Sequence, residues 1–207
     1  MMYKLMYTLL ATYMLIGCSK DETGVDSLMD QSMLELSTEE QMDLSFLREE
    51  EKLARDVYLY NYQLYGATIF SNIASSEQTH MDKVLELLEL AALEDSMTSN
   101  EIGSFENEDL ALLYTQLTQQ SATSLEEALK VGALIEDLDI ADIETMMEHT
   151  TNSALLSVYS NLVCGSKNHI RAYSRNIEAT GESYTPHYIS AEYYTLILSE
   201  TSGGCGN

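Results

Sequence analysis

An all-α domain is what this sequence predicts: four long helices packed as a bundle, with a long crossover between the second and third and short extra helices. Three observations lead there. From Ser37 onward apolar residues recur at helical spacing almost without interruption, start and stop residues punctuate that pattern, and no stretch shows convincing strand-like alternation. A single proline in 207 residues leaves long helices uninterrupted, and a hydrophobic content of 45% is enough to bury a core. Wholesale disorder and a small disulfide scaffold are both excluded by that composition.

Each element has its own signal. Ser37 and Glu40 have capping-box spacing and Gly66 supplies a left-handed stop, framing a first helix over about residues 39–65. A second helix covers about 69–91. The polar stretch EDSMTSNEIGSFEN is a connection, leading to a short helix over about 107–120. Ser124 and Glu127 repeat the capping-box spacing and open a third long segment through about 148, with a break expected near Asp139. Asn152 starts a fourth long helix that Gly181 ends, and a short helix over about 190–199 follows Pro186.

The start of the chain is different in kind. MMYKLMYTLLATYMLIGC has one charge, Lys4, and an apolar run too short to span a bilayer comfortably, the pattern of a secretory signal peptide. Its ending, Leu15-Ile16-Gly17-Cys18, resembles the bacterial lipoprotein lipobox, which implies that Cys18 becomes the lipidated first residue. Residues 19–37 are polar, without sustained periodicity, and read as a tether; its opening Ser19-Lys20-Asp21-Glu22 resembles the surface-export signal of some Bacteroidetes lipoproteins. The expected organisation is therefore a signal peptide over 1–17, a lipidated tether over 18–37, the bundle over 38–200 and a Gly-rich tail over 201–207. The expected location is the bacterial cell envelope, at the outer membrane or cell surface.

Charge narrows the partners. With 34 acidic against 10 basic side chains, a net charge of −24, the chain is a poor ligand for a phosphate backbone, so nucleic acid is excluded and cations are favoured.

Carboxylates and imidazoles on apolar helix faces carry the chemistry, because buried charge is costly unless paired or metal-bound. Glu77 has Phe70, Ile73, Ala74, Met81 and Val84 at helical spacings, and His80 follows at i+3, so both project from one face. On the first helix Glu51 lies in a stripe with Leu44, Leu47, Ala54, Tyr58, Tyr62 and Tyr65. Its neighbour Glu50 sees Phe46, Leu53 and Val57, and periodicity does not choose between the two. Glu136 sits with Leu129, Gly132, Ala133, Ile140 and Ile143, and His169 with Leu162, Gly165, Ala172 and Tyr173. Carboxylate oxygens and imidazole nitrogens arriving from four helices are ligands for iron or manganese.

These residues also carry a resemblance. EKLARDVY at 51–58 resembles the first-helix Glu-x-x-Ala-Arg-x-x-Tyr of rubrerythrins, and IASSEQTH at 73–80 resembles their second-helix Ile-Ala-x-x-Glu-x-x-His, which favours Glu51 over Glu50. From about Phe46 to Tyr194, through EEEKLA, SEQTHM and GSKNHIRAY, the chain is similar to the bacterial ferritin-like domain-of-unknown-function 2202 family. The resemblance implies a ferritin-like four-helix bundle with Glu51, Glu77, His80, Glu136 and His169 as metal ligands. Ser166 stands where such proteins carry a second Glu-x-x-His glutamate; Asp139, at i+3 from Glu136, is the candidate to supply the missing oxygen, Glu50 and Ser166 itself are further candidate ligands, and a site with one metal or none is the alternative. One or two ions per chain are both compatible with this set.

Of the remaining residues, His149 suits a helix C-terminus, His187 a surface connection, and Tyr58, Tyr62 and Tyr173 read as packing. No Cys-x-x-Cys is present, so a rubredoxin-type iron site is absent; Cys164 and Cys205 are either a disulfide in an oxidising compartment or two free thiols. Two functions follow. One is a mono- or di-metal oxidoreductase, ferroxidase-like or peroxidase-like, served by an unidentified electron donor. The other is a non-catalytic binding or structural lipoprotein with an incomplete site. Expected partners are the membrane, through lipid on Cys18, metal cations and, as one option, a second copy of the chain.

Overall fold

A computed structural model of the chain describes residues 33–201 and 203–205, so the signal segment, Cys18 and most of the tether lie outside the described residues. Among the described residues every regular element is a helix: α1 (Thr38–Tyr65), α2 (Thr68–Leu90), α3 (Glu108–Ser121), α4 (Leu125–Glu148), α5 (Ser153–Ala179) and α6 (Ala191–Ser199). None of them is long and apolar enough to cross a membrane.

The caps are where the sequence puts them. The Ser37 hydroxyl accepts from the Glu40 amide at 3.2 Å while the Glu40 carboxylate accepts from the Ser37 amide at 2.7 Å, and Gly66 ends α1 at φ +64°. Ser124 and Asn152 cap α4 and α5 with a side-chain oxygen as expected, although the Glu127 carboxylate turns to Gln120 and Lys130 and does not complete the capping box; Asn107 and Ser190, which the sequence did not single out, cap α3 and α6. α4 runs unbroken through Asp139, contrary to the expected break. No Gly or Pro lies there, and the buried Ile135, Ile140 and Ile143 hold the helix on both sides of the aspartate.

Helix α1 packs chiefly on α2 and α4 chiefly on α5, with α1 also against α4 and α2 against α5, so the four long helices close a ring. Tyr58 of α1 meets Glu136 of α4 while Glu40, near the other end of α1, meets Thr150 just past the end of α4, so these two helices are antiparallel. Each hairpin partner is antiparallel as well, which leaves α2 and α4 running the same way. The connection between them must therefore return along the bundle.

It returns beside α1, and the contact is polar and buried. Asp56 pairs with Lys52 at 2.5 Å and accepts from the Gly103 amide at 3.0 Å, Lys52 also donates to the Glu101 carbonyl at 2.7 Å, and Glu49 accepts from the amides of Glu106 and Asn107. Every residue from Leu47 to Tyr58 is consequently buried. Asp137 does similar service for the chain leading into α6, accepting from the amides of His187, Tyr188 and Ile189 and from the Tyr184 hydroxyl. Leu34 and Leu36, within the expected tether, pack on the apolar core. Tyr62 departs from its expected inward position: with Gln63 and Leu64 it is exposed in the last turn of α1.

The core is divided in two. One apolar cluster includes Val57, Tyr58, Phe70, Ile73, Ile135, Ile170 and Tyr173; the other includes Leu44, Leu47, Val84, Ile143, Leu155 and Leu162. Between them on each long helix lies a short polar segment: Glu50 and Glu51, Glu77 to His80, Glu136 to Asp139, and Ser166 to His169.

Candidate metal centre

Those four segments meet at one level of the bundle. Glu77 of α2, fully buried, lies at the middle: its Oε2 is 2.7 Å from Nδ1 of His80 and its Oε1 is 2.9 Å from Nδ1 of His169. Glu51 of α1 approaches the same nitrogen of His80 at 3.2 Å, and Glu136 of α4 approaches Nδ1 of His169 at 3.2 Å. The result is two triads, Glu51-Glu77-His80 and Glu77-Glu136-His169, each with ligand atoms within 4.8 Å of one another and with Glu77 common to both. The two imidazole rings stack with centroids 5.7 Å apart.

A supporting layer sets the orientation of these groups. Tyr58, expected as packing, donates its hydroxyl to Glu136 Oε1 at 2.6 Å. The Ser76 hydroxyl lies 3.0 Å from Nε2 of His169, so the nitrogen facing away from the carboxylates is also engaged. Gly165 gives His80 its room, since a Cβ at that position would stand 2.6 Å from the imidazole Nε2. Gly132 serves Tyr173 in the same way: a Cβ there would stand 2.4 Å from its ring.

The other candidate ligands are placed differently. Asp139 is buried with both oxygens lacking a hydrogen-bond partner, within electrostatic reach of Glu51, Glu50, Glu136 and Glu77. Glu50, also buried, faces the half-buried Asp142 and lies outside both triads. Ser166 is fully buried, and its hydroxyl turns back to the Leu162 carbonyl of its own helix at 3.2 Å. His149 is exposed beyond the end of α4 beside Asp43, and the side chain of His187 is exposed. Cys164 and Cys205 are joined in a disulfide.

Electrostatics follows from burying so many acids together. Burial pushes Glu51 up to about 7 against the pull of His80, and raises Glu136 against the pull of His169. Burial likewise raises Asp139 and Glu50 well above the carboxylate range, with neighbouring carboxylates adding to the effect. Burial would raise Glu77 too, but His169 and His80 together outweigh it and hold Glu77 below the usual range. Burial would lower both histidines, yet Glu77 and Glu136 lift His169 to about 10, and Glu51 and Glu77 lift His80 well above 6.5. Protons on the imidazoles thus balance the carboxylate charge from the positions that a cation would take.

Comparison with other proteins follows the same residues. The family described as an uncharacterized protein domain (DUF2202) matches residues 40–201, which include both triads. The chain is 48% identical over 167 residues to the uncharacterized protein MJ0754 of Methanocaldococcus jannaschii, a match covering 81% of this chain and 90% of that protein. The crystal structure of the hypothetical protein MJ0754 from Methanococcus jannaschii is similar at a TM-score of 0.81, over 82% of this chain and 97% of that one. That relative is archaeal, whereas the family expected from the sequence resemblance is bacterial. This chain belongs to the DUF2202 family.

Proposed function

We propose that the chain is a ferritin-like lipoprotein whose bundle holds two iron or manganese ions among Glu51, Glu77, His80, Glu136 and His169, for redox chemistry with oxygen, peroxide or ferrous iron. The observation that carries this reading is Glu77, whose two oxygens face His80 and His169 respectively, each of these two histidines being joined by one further glutamate. A carboxylate so placed is suited to bridge two cations.

The donor set fits the ions. Carboxylate oxygen and neutral imidazole nitrogen suit iron and manganese, and Glu51 Oε1 and both oxygens of Asp139 are buried with no hydrogen-bond partner, a state that a nearby cation relieves. Four carboxylates, Glu51, Glu77, Glu136 and Asp139, balance two divalent charges in an interior that tolerates no large excess of either sign. When bound, such ions supply one-electron steps and open positions for an oxidant. The protein's own groups do the rest: Tyr58 fixes Glu136, Ser76 fixes the ring of His169, and a cavity of about 330 Å³ reaches both histidines from outside.

Ser166 favours a second reading, a binding or structural lipoprotein with an incomplete site, because its short side chain bonds to its own helix and offers no carboxylate. Metal analysis of the purified chain, reconstituted with iron(II) or manganese(II) and freed of excess metal, separates the two. About two ions per chain support the di-metal reading, and none refutes it. Lipid attachment at Cys18 is tested separately: Cys18→Ser should abolish incorporation of a labelled fatty acid, and equal incorporation by mutant and wild type refutes the anchor.

A further inference from the structure

The entrance to the candidate centre is built partly from sulfur. Cys164 of α5 and Cys205 form a disulfide with Cα atoms 5.5 Å apart. Cys205 lines the same cavity of about 330 Å³ as His80 and His169. Cys164 immediately precedes Gly165, the residue that lies against the His80 ring. Asn168, the neighbour of His169, donates to the Gly203 carbonyl at 3.1 Å and lies 3.0 Å from the Cys205 sulfur, which holds the tail across the cavity. One sulfur of the disulfide, that of Cys205, and two ligand imidazoles therefore share one solvent-connected space, with Cys164 bonded behind it.

A purely mechanical role explains this position poorly. Thr201, Gly203 and Gly204 are exposed, so the disulfide ties down a segment that buries little apolar surface. The entropy that a cross-link removes from the unfolded chain depends on the loop it closes, and does not require a sulfur in the cavity of a metal centre.

We infer that Cys164 and Cys205 are the two-electron donor of this centre: a dithiol that reduces peroxide in the cavity and closes to the disulfide. The inference rests on the metal reading above. The O–O bond of hydrogen peroxide breaks and both oxygens leave as water. The two electrons come from the two thiols, whose sulfurs bond to each other, and the two thiol protons complete the waters. The disulfide is the oxidised end of the cycle, and an external thiol returns it to the dithiol by exchange.

The test uses the full chain, reduced and then freed of reductant under anaerobic conditions. It is divided into iron(II)-loaded and metal-free samples, and one equivalent of hydrogen peroxide is added. Quenching by alkylation and mapping of the Cys164–Cys205 peptide follow the link itself and leave Cys18 out of the count. The linked form should appear about tenfold faster or more in the loaded sample, because Cys205 lines the cavity that reaches both ligand histidines. Wild-type iron should finish as iron(II), whereas Cys205→Ser, with its ligands intact, should load the same metal and finish as iron(III). Equal rates with and without metal, or the same final iron state in both proteins, overturns the inference. Failure of iron to load is seen before peroxide is added and overturns the metal reading together with this one.

Discussion

Replacing Glu77 by Gln keeps the shape of the side chain and removes the charge shared by both triads. Its carboxylate is fully buried and lies 2.7 and 2.9 Å from the two Nδ1 atoms, so no other residue can take its place without a backbone shift. A ligand that binds only the folded state stabilises it by about 4 kcal/mol at a thousand times its dissociation constant. For a domain of this size that is roughly 8–16 °C in Tm from a single site. The wild-type chain should show a rise of at least that size when manganese(II) is added at saturating concentration, read by thermal unfolding in far-ultraviolet circular dichroism. In Glu77→Gln the rise should fall below about 4 °C, the equivalent of about 1 kcal/mol. The metal-free variant should itself lose about 3 kcal/mol, since His80 and His169 lose the anion between them. Glu106→Ala, an exposed residue in the polar connection, should retain the full wild-type response. An undiminished metal response in Glu77→Gln would show that the two triads do not share a bridging carboxylate.

Tyr58→Phe removes the hydroxyl bonded to Glu136 and should weaken metal binding by about tenfold to a hundredfold in a competition titration, with helix content unchanged. Gly165→Ala should lower affinity through displacement of His80, whereas Gly181→Ala, at a position with open space and φ +88°, should cost stability and leave affinity alone. Metal-free protein should lose stability as pH rises from about 5 to 10. Glu51 is raised from 4.5 to about 7, and its stabilisation is lost as pH rises through 7; His169 is raised from 6.5 to about 10, and its stabilisation is lost as pH rises through 10. Bound metal should reverse that trend, because it requires the deprotonated ligands, so denaturation midpoints with and without metal should diverge as pH rises. Asp56→Ala, which strands the fully buried Lys52, should cost about 3–5 kcal/mol in urea unfolding.

Much of this was legible in the sequence, for reasons that differ between elements. The helix starts are local chemistry: Ser37 with Glu40, Ser124 with Glu127, and Asn152 satisfy amide groups within the first turn, so spacing alone locates them. The five candidate ligands were legible because each is charged or polar among apolar neighbours on one helix face. The ambiguity between Glu50 and Glu51 has a structural origin: both are buried, Glu51 inside the ring beside His80 and Glu50 against Asp142 of α4, while the connection covers the opposite side at Glu49, Lys52 and Asp56. Periodicity reports a boundary between protein and water, and α1 has almost none over Leu47–Tyr58. The supporting layer was hidden for another reason. Tyr58 and Ser76 are ordinary residues whose role lies in what they meet across the bundle, at residues far away in the sequence. Gly165, four residues before His169, was visible as a glycine within an apolar helix face, which signals close approach by a neighbour; that the neighbour is His80 required the packing of α2 on α5. The disulfide depended in the same way on a distance that spacing does not report.

The central claim is that Glu77 bridges two ions inside the helix ring, and anomalous X-ray scattering from metal-loaded crystals tests it most directly. Data collected on either side of the iron or manganese absorption edge should show two peaks, one beside Glu51 and His80, the other beside Glu136 and His169, with Glu77 between them. Absence of anomalous signal at this level of the bundle, or a single peak away from Glu77, would contradict the account.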